Sequence, residues 1–280
     1  MILGMLGRAA VLLAAVAMTT PVMAGQTVRQ RPQGNLVERS TPSDDADDTE
    51  VKSPRSAPDR NDDDDVPSVA MRDRGSRPSA IDAKYDAGMA AIRAKNPGQA
   101  VELMRPLLAD FERRYAGEKR EIYCALTPEQ KSRYLADAAK ANREAVAIDA
   151  GWCRAQYVTG YALIDLQRLP EAQTAFERLV RFAPQNARYL NELGYIFMKQ
   201  GKWQQSLDVY RRAEAVADLT PDRAREERCL ALKGVGYDLV ELGDFNAAEA
   251  AYRKCLNINP NDEDSPRELK YIEEQRKQTV

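Results

Sequence analysis

Large apolar side chains are spread unevenly along the 280-residue chain, and their spacing divides it into three. A single Arg8 precedes an apolar run from Ala9 to Met18, and small residues close the stretch at Val22-Met23-Ala24. Charge, then apolar run, then small residues is the layout of a secretory signal, so residues 1–24 are expected to be an export signal cut after Ala24. The run is short for a bilayer span, although an uncleaved N-terminal membrane helix is the alternative. Residues 25–79 hold few large apolar side chains and many Pro, Ser, Arg and Asp. Such a stretch cannot bury enough apolar surface to offset its ordering entropy, and a disordered linker is expected. Its acidic runs, Asp44-Asp45-Ala46-Asp47-Asp48 and Asp62-Asp63-Asp64-Asp65, lack the spaced oxygens and turn glycine of a calcium loop. Arg72, Arg74 and Arg77 follow, so the linker alternates in sign.

From Ile81 onward the pattern is helical, rich in Ala, Leu, Tyr, Glu, Arg and Lys, with no alternating strand signal. It also repeats. Aligned on Gly160 and Gly194, Ala172 matches Ser206, Phe176 matches Tyr210, and Leu166-Gln167 matches Gln200-Gly201. A further copy aligns on Gly236, with Ala248, Tyr252 and Pro260, and a weaker one on Gly88, with Ala100 and Met104. Turns are marked by Gln200-Gly201-Lys202 and Leu242-Gly243-Asp244, where glycine can take the left-handed conformation that ends a helix.

These residues resemble the tetratricopeptide repeat, a helix–turn–helix unit of 34 residues. The resemblance places small residues at repeat positions 8 and 20, a large one at 24 and often proline at 32. Gly160, Ala172, Phe176 and Pro184 fill these places in one unit, and Gly236, Ala248, Tyr252 and Pro260 in another. The implied units are 81–114, 153–186, 187–220 and 229–262, stacked as an all-α, right-handed α-solenoid. Pro106 falls inside the second helix of the first unit, where a kink is expected. Residues 115–152 interrupt the array. There Thr127-Pro128-Glu129-Gln130 opens a helix expected to reach Ile148, as an additional stacking element. Residues 263–280 open with Ser265-Pro266-Arg267-Glu268 and read as a capping helix, with Leu269 and Ile272 on its apolar face.

The same resemblance implies a concave face lined by the first helix of each unit, at positions 2, 5, 9, 12 and 13, that binds peptides. Position 9 reads Met89, Tyr161, Tyr195 and Tyr237, and position 5 reads Tyr85, Tyr157, Asn191 and Lys233. Arg154 and Arg188 occupy position 2 and Lys199 position 13. A tyrosine row offers contact area with few rotors and a polar tip, and flanking cations could grip carboxylates or backbone carbonyls. Asn191 and Lys233 partly resemble the two-carboxylate clamp of chaperone-binding relatives. The alternative for each tyrosine is packing between adjacent units.

In the repeat frame, antiparallel helices place position 8 against 20, so position 1 lies near 27. Cys229 and Cys255 hold those positions and are expected to form a disulfide, the alternative being two buried thiols. By elimination Cys124 pairs with Cys153. A straight helix between them would hold them about 30 Å apart, so the chain before Thr127 is expected to fold back.

Composition narrows the chemistry. There is no histidine, so a Ser-His-Asp or Cys-His pair cannot be built and no imidazole can bind zinc. No glycine-rich phosphate loop, Cys-x-x-Cys or Gly-x-Ser-x-Gly occurs. With 43 acidic against 41 basic side chains there is no excess cation for a nucleic-acid surface. The expectation is a non-catalytic, periplasmic or secreted adaptor that holds a protein or peptide partner. No cofactor or metal is expected, and no stable membrane insertion once the signal is cut. The rival readings are an envelope-assembly or polysaccharide-export factor that binds glycan, and a carboxylate-based enzyme.

Overall fold

The computed structural model describes residues 80–220 and 223–278. The expected export signal and linker lie outside these residues. The described chain forms ten α-helices and one pair of short strands. Helices α1 (Ala80–Arg93) and α2 (Pro97–Tyr115) make the first hairpin. The second is α4 (Gly151–Asp165) with α5 (Leu169–Phe182), and the third α6 (Ala187–Lys199) with α7 (Trp203–Val216). The fourth is α8 (Ala224–Glu241) with α9 (Phe245–Ile258), and α10 (Asp264–Gln278) packs on α9. Helix α2 continues through Pro106, which lies exposed.

Within each hairpin one contact recurs. A methyl group added at Gly160 would sit 2.8 Å from the Phe176 ring, at Gly194 2.9 Å from Tyr210, and at Gly236 2.6 Å from Tyr252. At Gly88 it would sit 2.8 Å from Met104 Cε. So the small residue of the first helix is the seat for the large residue of the second, in all four hairpins. These seats lie in an interior that includes Phe176, Met104, Leu179, Leu190, Ile196 and Tyr252, each almost wholly buried.

The turns between paired helices are equally regular. Lys95, Gln167, Gly201 and Gly243 all have left-handed backbone, with φ of 57°, 58°, 70° and 84°. Each donates its amide three residues back, and the next residue donates five back, as in Gly201 to Met198 and Lys202 to Phe197. This pattern satisfies carbonyls that the helix end leaves open.

Residues between α2 and α4 depart from the expected additional stacking helix. They form β1 (Glu121–Cys124), α3 (Pro128–Lys140) and β2 (Ala145–Ile148), with the strands parallel and Cys124 opposite Ile148. Thr127 caps α3 by accepting from the Gln130 amide. The helix ends at Lys140 rather than Ile148, because Asn142 turns left-handed at φ 53° and closes it with the same amide pattern as the repeats. Beyond it, Val146 and Ile148 favour extended backbone. The first repeat meets the second directly, α2 and α1 both packing on α4, so this β-α-β segment lies beside the array and not within it. Two side chains fasten it there: Gln130 Nε2 donates to the Leu219 carbonyl at 3.4 Å, and Gln185 Nε2 to Asp137 Oδ2 at 3.0 Å.

Both cysteine pairs are disulfide-bonded, Cys124 with Cys153 and Cys229 with Cys255. The reach from Cys124 to Cys153 is closed by the parallel strands. They return the chain to Ile148, beside Cys124 and shortly before Cys153.

Candidate partner-binding face

The inner helices of the four hairpins lie side by side, with α1 packed on α4, α4 on α6 and α6 on α8. Their equivalent positions therefore form rows across one face. The structure treats the residues of those rows unequally.

Tyr85, Tyr157, Tyr161 and Tyr237 are buried, whereas Tyr195 and Met89 are half-buried and Lys199 is exposed. Tyr157 is enclosed by rings: Tyr189 at 5.6 Å, Tyr161 at 5.8 Å and Phe176 edge-on at 6.0 Å. Burial pushes its hydroxyl well above the ordinary phenol value, and that of Tyr85 upward too. Tyr237 meets the Trp203 ring at 5.9 Å. Apart from half-buried Tyr195, the tyrosine row is thus a buried aromatic seam. The reason is geometric. Rings of neighbouring helices, Tyr189 on α6, Phe176 on α5 and Trp203 on α7, cover the row, and large flat side chains gain most from that cover.

The expected cations do grip carboxylates, but carboxylates of this chain. Arg154 on α4 pairs with Asp82 on α1 at 3.0 Å, and Arg188 on α6 with Glu227 on α8 at 3.1 Å. Asn191 donates its amide to the Glu227 backbone oxygen at 3.0 Å and to its carboxylate at 2.8 Å. Lys233 on α8 bridges Asp262, in the loop before α10, and Asp264, the first residue of α10, at 2.9 and 2.8 Å. Burial works against the Lys233 ammonium, yet hydrogen bonds to Asp264 and Asp262 leave it above its usual value. Charges this shielded need partners within the protein, so positions that resembled a ligand clamp became ties between successive units. Asp262 also lies within 4.8 Å of the Cys229 and Cys255 sulfurs, which their disulfide has already consumed.

Three participants were missed in the sequence. Glu227 and Asp262 complete the ties, but a register identifies rows and not which neighbouring element supplies a counter-charge. Gly234 holds the Tyr210 ring from the side opposite Gly194, an added methyl falling 2.5 Å from it. Its signal was available: a second glycine two residues before Gly236, on a helix whose buried residues spread around much of its circumference.

Residues 185–261 match the tetratricopeptide repeat family. A search of curated proteins found no match. Among solved structures, PilF of Pseudomonas aeruginosa is similar at 14% identity, with a TM-score of 0.50 over 71% of this chain and 69% of that one. MamA of Desulfovibrio magneticus is similar at 14% identity, with a TM-score of 0.48 over 72% of this chain and 88% of that one. No helix among the described residues is long and apolar enough to cross a membrane. With the family match over its C-terminal hairpins and the same seat and turn in all four, the described residues form a helical array of the tetratricopeptide-repeat fold.

Proposed function

We propose that this protein is a non-catalytic adaptor that captures a protein or peptide segment on the face formed by α1, α4, α6 and α8. The observation that carries the reading is the division of labour along that face. Its tyrosines and ion pairs fix neighbouring inner helices to one another, so the face is preorganised. Half-exposed Tyr195 and exposed Lys199, one turn further along α6, then supply an aromatic anchor beside a cation. Two disulfides in one chain suit an oxidising compartment, which supports export to the periplasm or beyond.

Photo-crosslinking in the native cell tests the reading. A photoreactive residue replacing Tyr195 should trap a protein partner. The same residue at Arg105, on the exposed side of α2, should trap none. Equal capture at the two positions, or capture of glycan alone at Tyr195, would overturn it.

A further inference from the structure

The short parallel sheet is covered on both faces but open along β2. Cys124 and Ile148, with half-buried Ile122, join the interior of the array, while Tyr123 and Ala145 pack with Tyr134 and Ala138 of α3. β1 also packs on α5, whereas β2 packs on β1 and α3. The ladder fixes which groups face outward. Glu121 donates its amide to the Glu144 carbonyl at 2.8 Å and Ala125 to the Ile148 carbonyl at 3.3 Å, with Glu121 opposite Ala145 and Tyr123 opposite Ala147. Glu144, Val146 and Ile148 therefore turn toward β1, and the amides and carbonyls of Ala145 and Ala147 turn away from it. Among the described residues, no other backbone group bonds to those four groups. Ala145, Val146 and Ala147 are half-buried, so the edge can be reached. It carries neither the proline nor the charge that commonly guards an open edge. Such an edge is a template for one more strand, and a two-stranded sheet gains stability from a third.

The chain enters the array close by. Ile81, the second residue of α1, lies against Gly151, where an added methyl would sit 3.0 Å from its Cγ2. Gly151 follows Ile148 by three residues, so the chain before Ala80 departs from beside the C-terminal end of β2. The last apolar alternation before Ala80 is Ser68-Val69-Ala70-Met71. The eight residues between, Arg72 to Ser79, can span about 27 Å. That is about twice the length of a four-residue strand.

We infer that Ser68–Met71, within the expected linker, adds to β2 as a third parallel strand. With Val69 beside Val146 and Met71 beside Ile148, both apolar side chains take the face that Ile148 turns to the array. Val69 and Met71 donate their amides to the Ala145 and Ala147 carbonyls, and the Ala145 and Ala147 amides donate to the Pro67 and Val69 carbonyls. Pro67 contributes only a carbonyl, so its missing amide leaves no gap in the ladder. The parallel direction brings Asp62-Asp63-Asp64-Asp65 to the end of the sheet that holds Lys119 and Lys140. Both lysines are exposed and have no ion pair among the described residues, whereas Arg120 and Arg143 beside them already pair with Glu118 and Glu121. The short tether keeps the segment at high local concentration, so a brief strand suffices.

Hydrogen exchange of the full-length protein, read at single amides by NMR, tests the inference. The Ala145 and Ala147 amides should exchange about tenfold more slowly in wild type than in Val69→Pro, which deletes a donor of the added strand. Ala70→Pro, at a position whose amide faces solvent, should keep the protection. Both substitutions lie outside the described array, and matching far-UV circular dichroism checks that it stays folded. Protection should not change on dilution. Unprotected Ala145 and Ala147 amides in wild type would overturn the inference. So would protection that survives Val69→Pro, which assigns the edge to another occupant, or protection that falls on dilution, which assigns it to a second copy of the chain. Equal loss in the two proline variants would overturn it as well, since an in-register strand is sensitive at alternate residues only.

Discussion

In the N-terminal half of the array the left-handed turn residues are Lys95 and Gln167; in the C-terminal half they are Gly201 and Gly243. The hydrogen bonds they make are the same, and so are the seats that Gly88, Gly160, Gly194 and Gly236 provide. Yet the family match begins only at residue 185. The two halves thus share one backbone solution and differ in how well the residues at its critical points suit it. Shape persists where sequence likeness fades, because stacking against the next unit compensates a poor turn residue.

The sharpest way to break that likeness is at the seats. In the C-terminal half Tyr210 is held between Gly194 and Gly234, a rigid ring with a glycine against each edge. Gly234→Ala should destabilise by about 3 kcal/mol in denaturant unfolding, the upper part of the overpacking range. In the N-terminal half Gly88 faces the flexible end of Met104. Gly88→Ala should remain within about 1 kcal/mol of wild type, since the thioether can move and alanine favours helix.

The disulfides close loops of similar length, 26 and 29 residues apart in sequence, so chain entropy alone predicts about 3 kcal/mol for each. They should nonetheless differ in where the loss appears. Replacing Cys229 and Cys255 by Ala should expose α8 and α9 to hydrogen exchange. Replacing Cys124 and Cys153 should raise exchange chiefly in β1, α3 and β2.

Turn substitutions should run in opposite directions in the two halves. Lys95→Gly and Gln167→Gly relieve a side chain of left-handed backbone and should each stabilise by up to about 1 kcal/mol. Gly201→Ala and Gly243→Ala should each destabilise by about 1 kcal/mol. The smallest effect belongs to Asn142→Gly, within about 0.5 kcal/mol, because asparagine already tolerates that conformation. Thermal melts of these five variants would rank them.

The periodicity of Gly160, Gly194 and Gly236 made the helical array legible, and the turn glycines located two of its four inter-helix corners. The strands were not legible. Glu121–Cys124 and Ala145–Ile148 are four residues each, too short for an alternation to stand out. The second follows a run of helix formers, Ala138-Ala139-Lys140-Ala141, that gives no sign of stopping before Asn142. At the candidate face, the repeat frame identified Arg154, Arg188, Asn191 and Lys233 as inner-face positions. Whether such a residue meets a ligand or the chain itself depends on Asp82, Glu227, Asp262 and Asp264, each on another element.

The parallel pairing of β1 with β2 has a consequence for how this chain could be rebuilt. Cys124 and Ile148 lie side by side, and the Phe111 ring near the end of α2 meets Trp152, at the start of α4, at 5.3 Å. The segment therefore leaves the array and rejoins it at nearly one point, as a branch does on a stem. Such a branch can be exchanged for another of different size, or cut back to a short bridge, while the stem keeps its stacking.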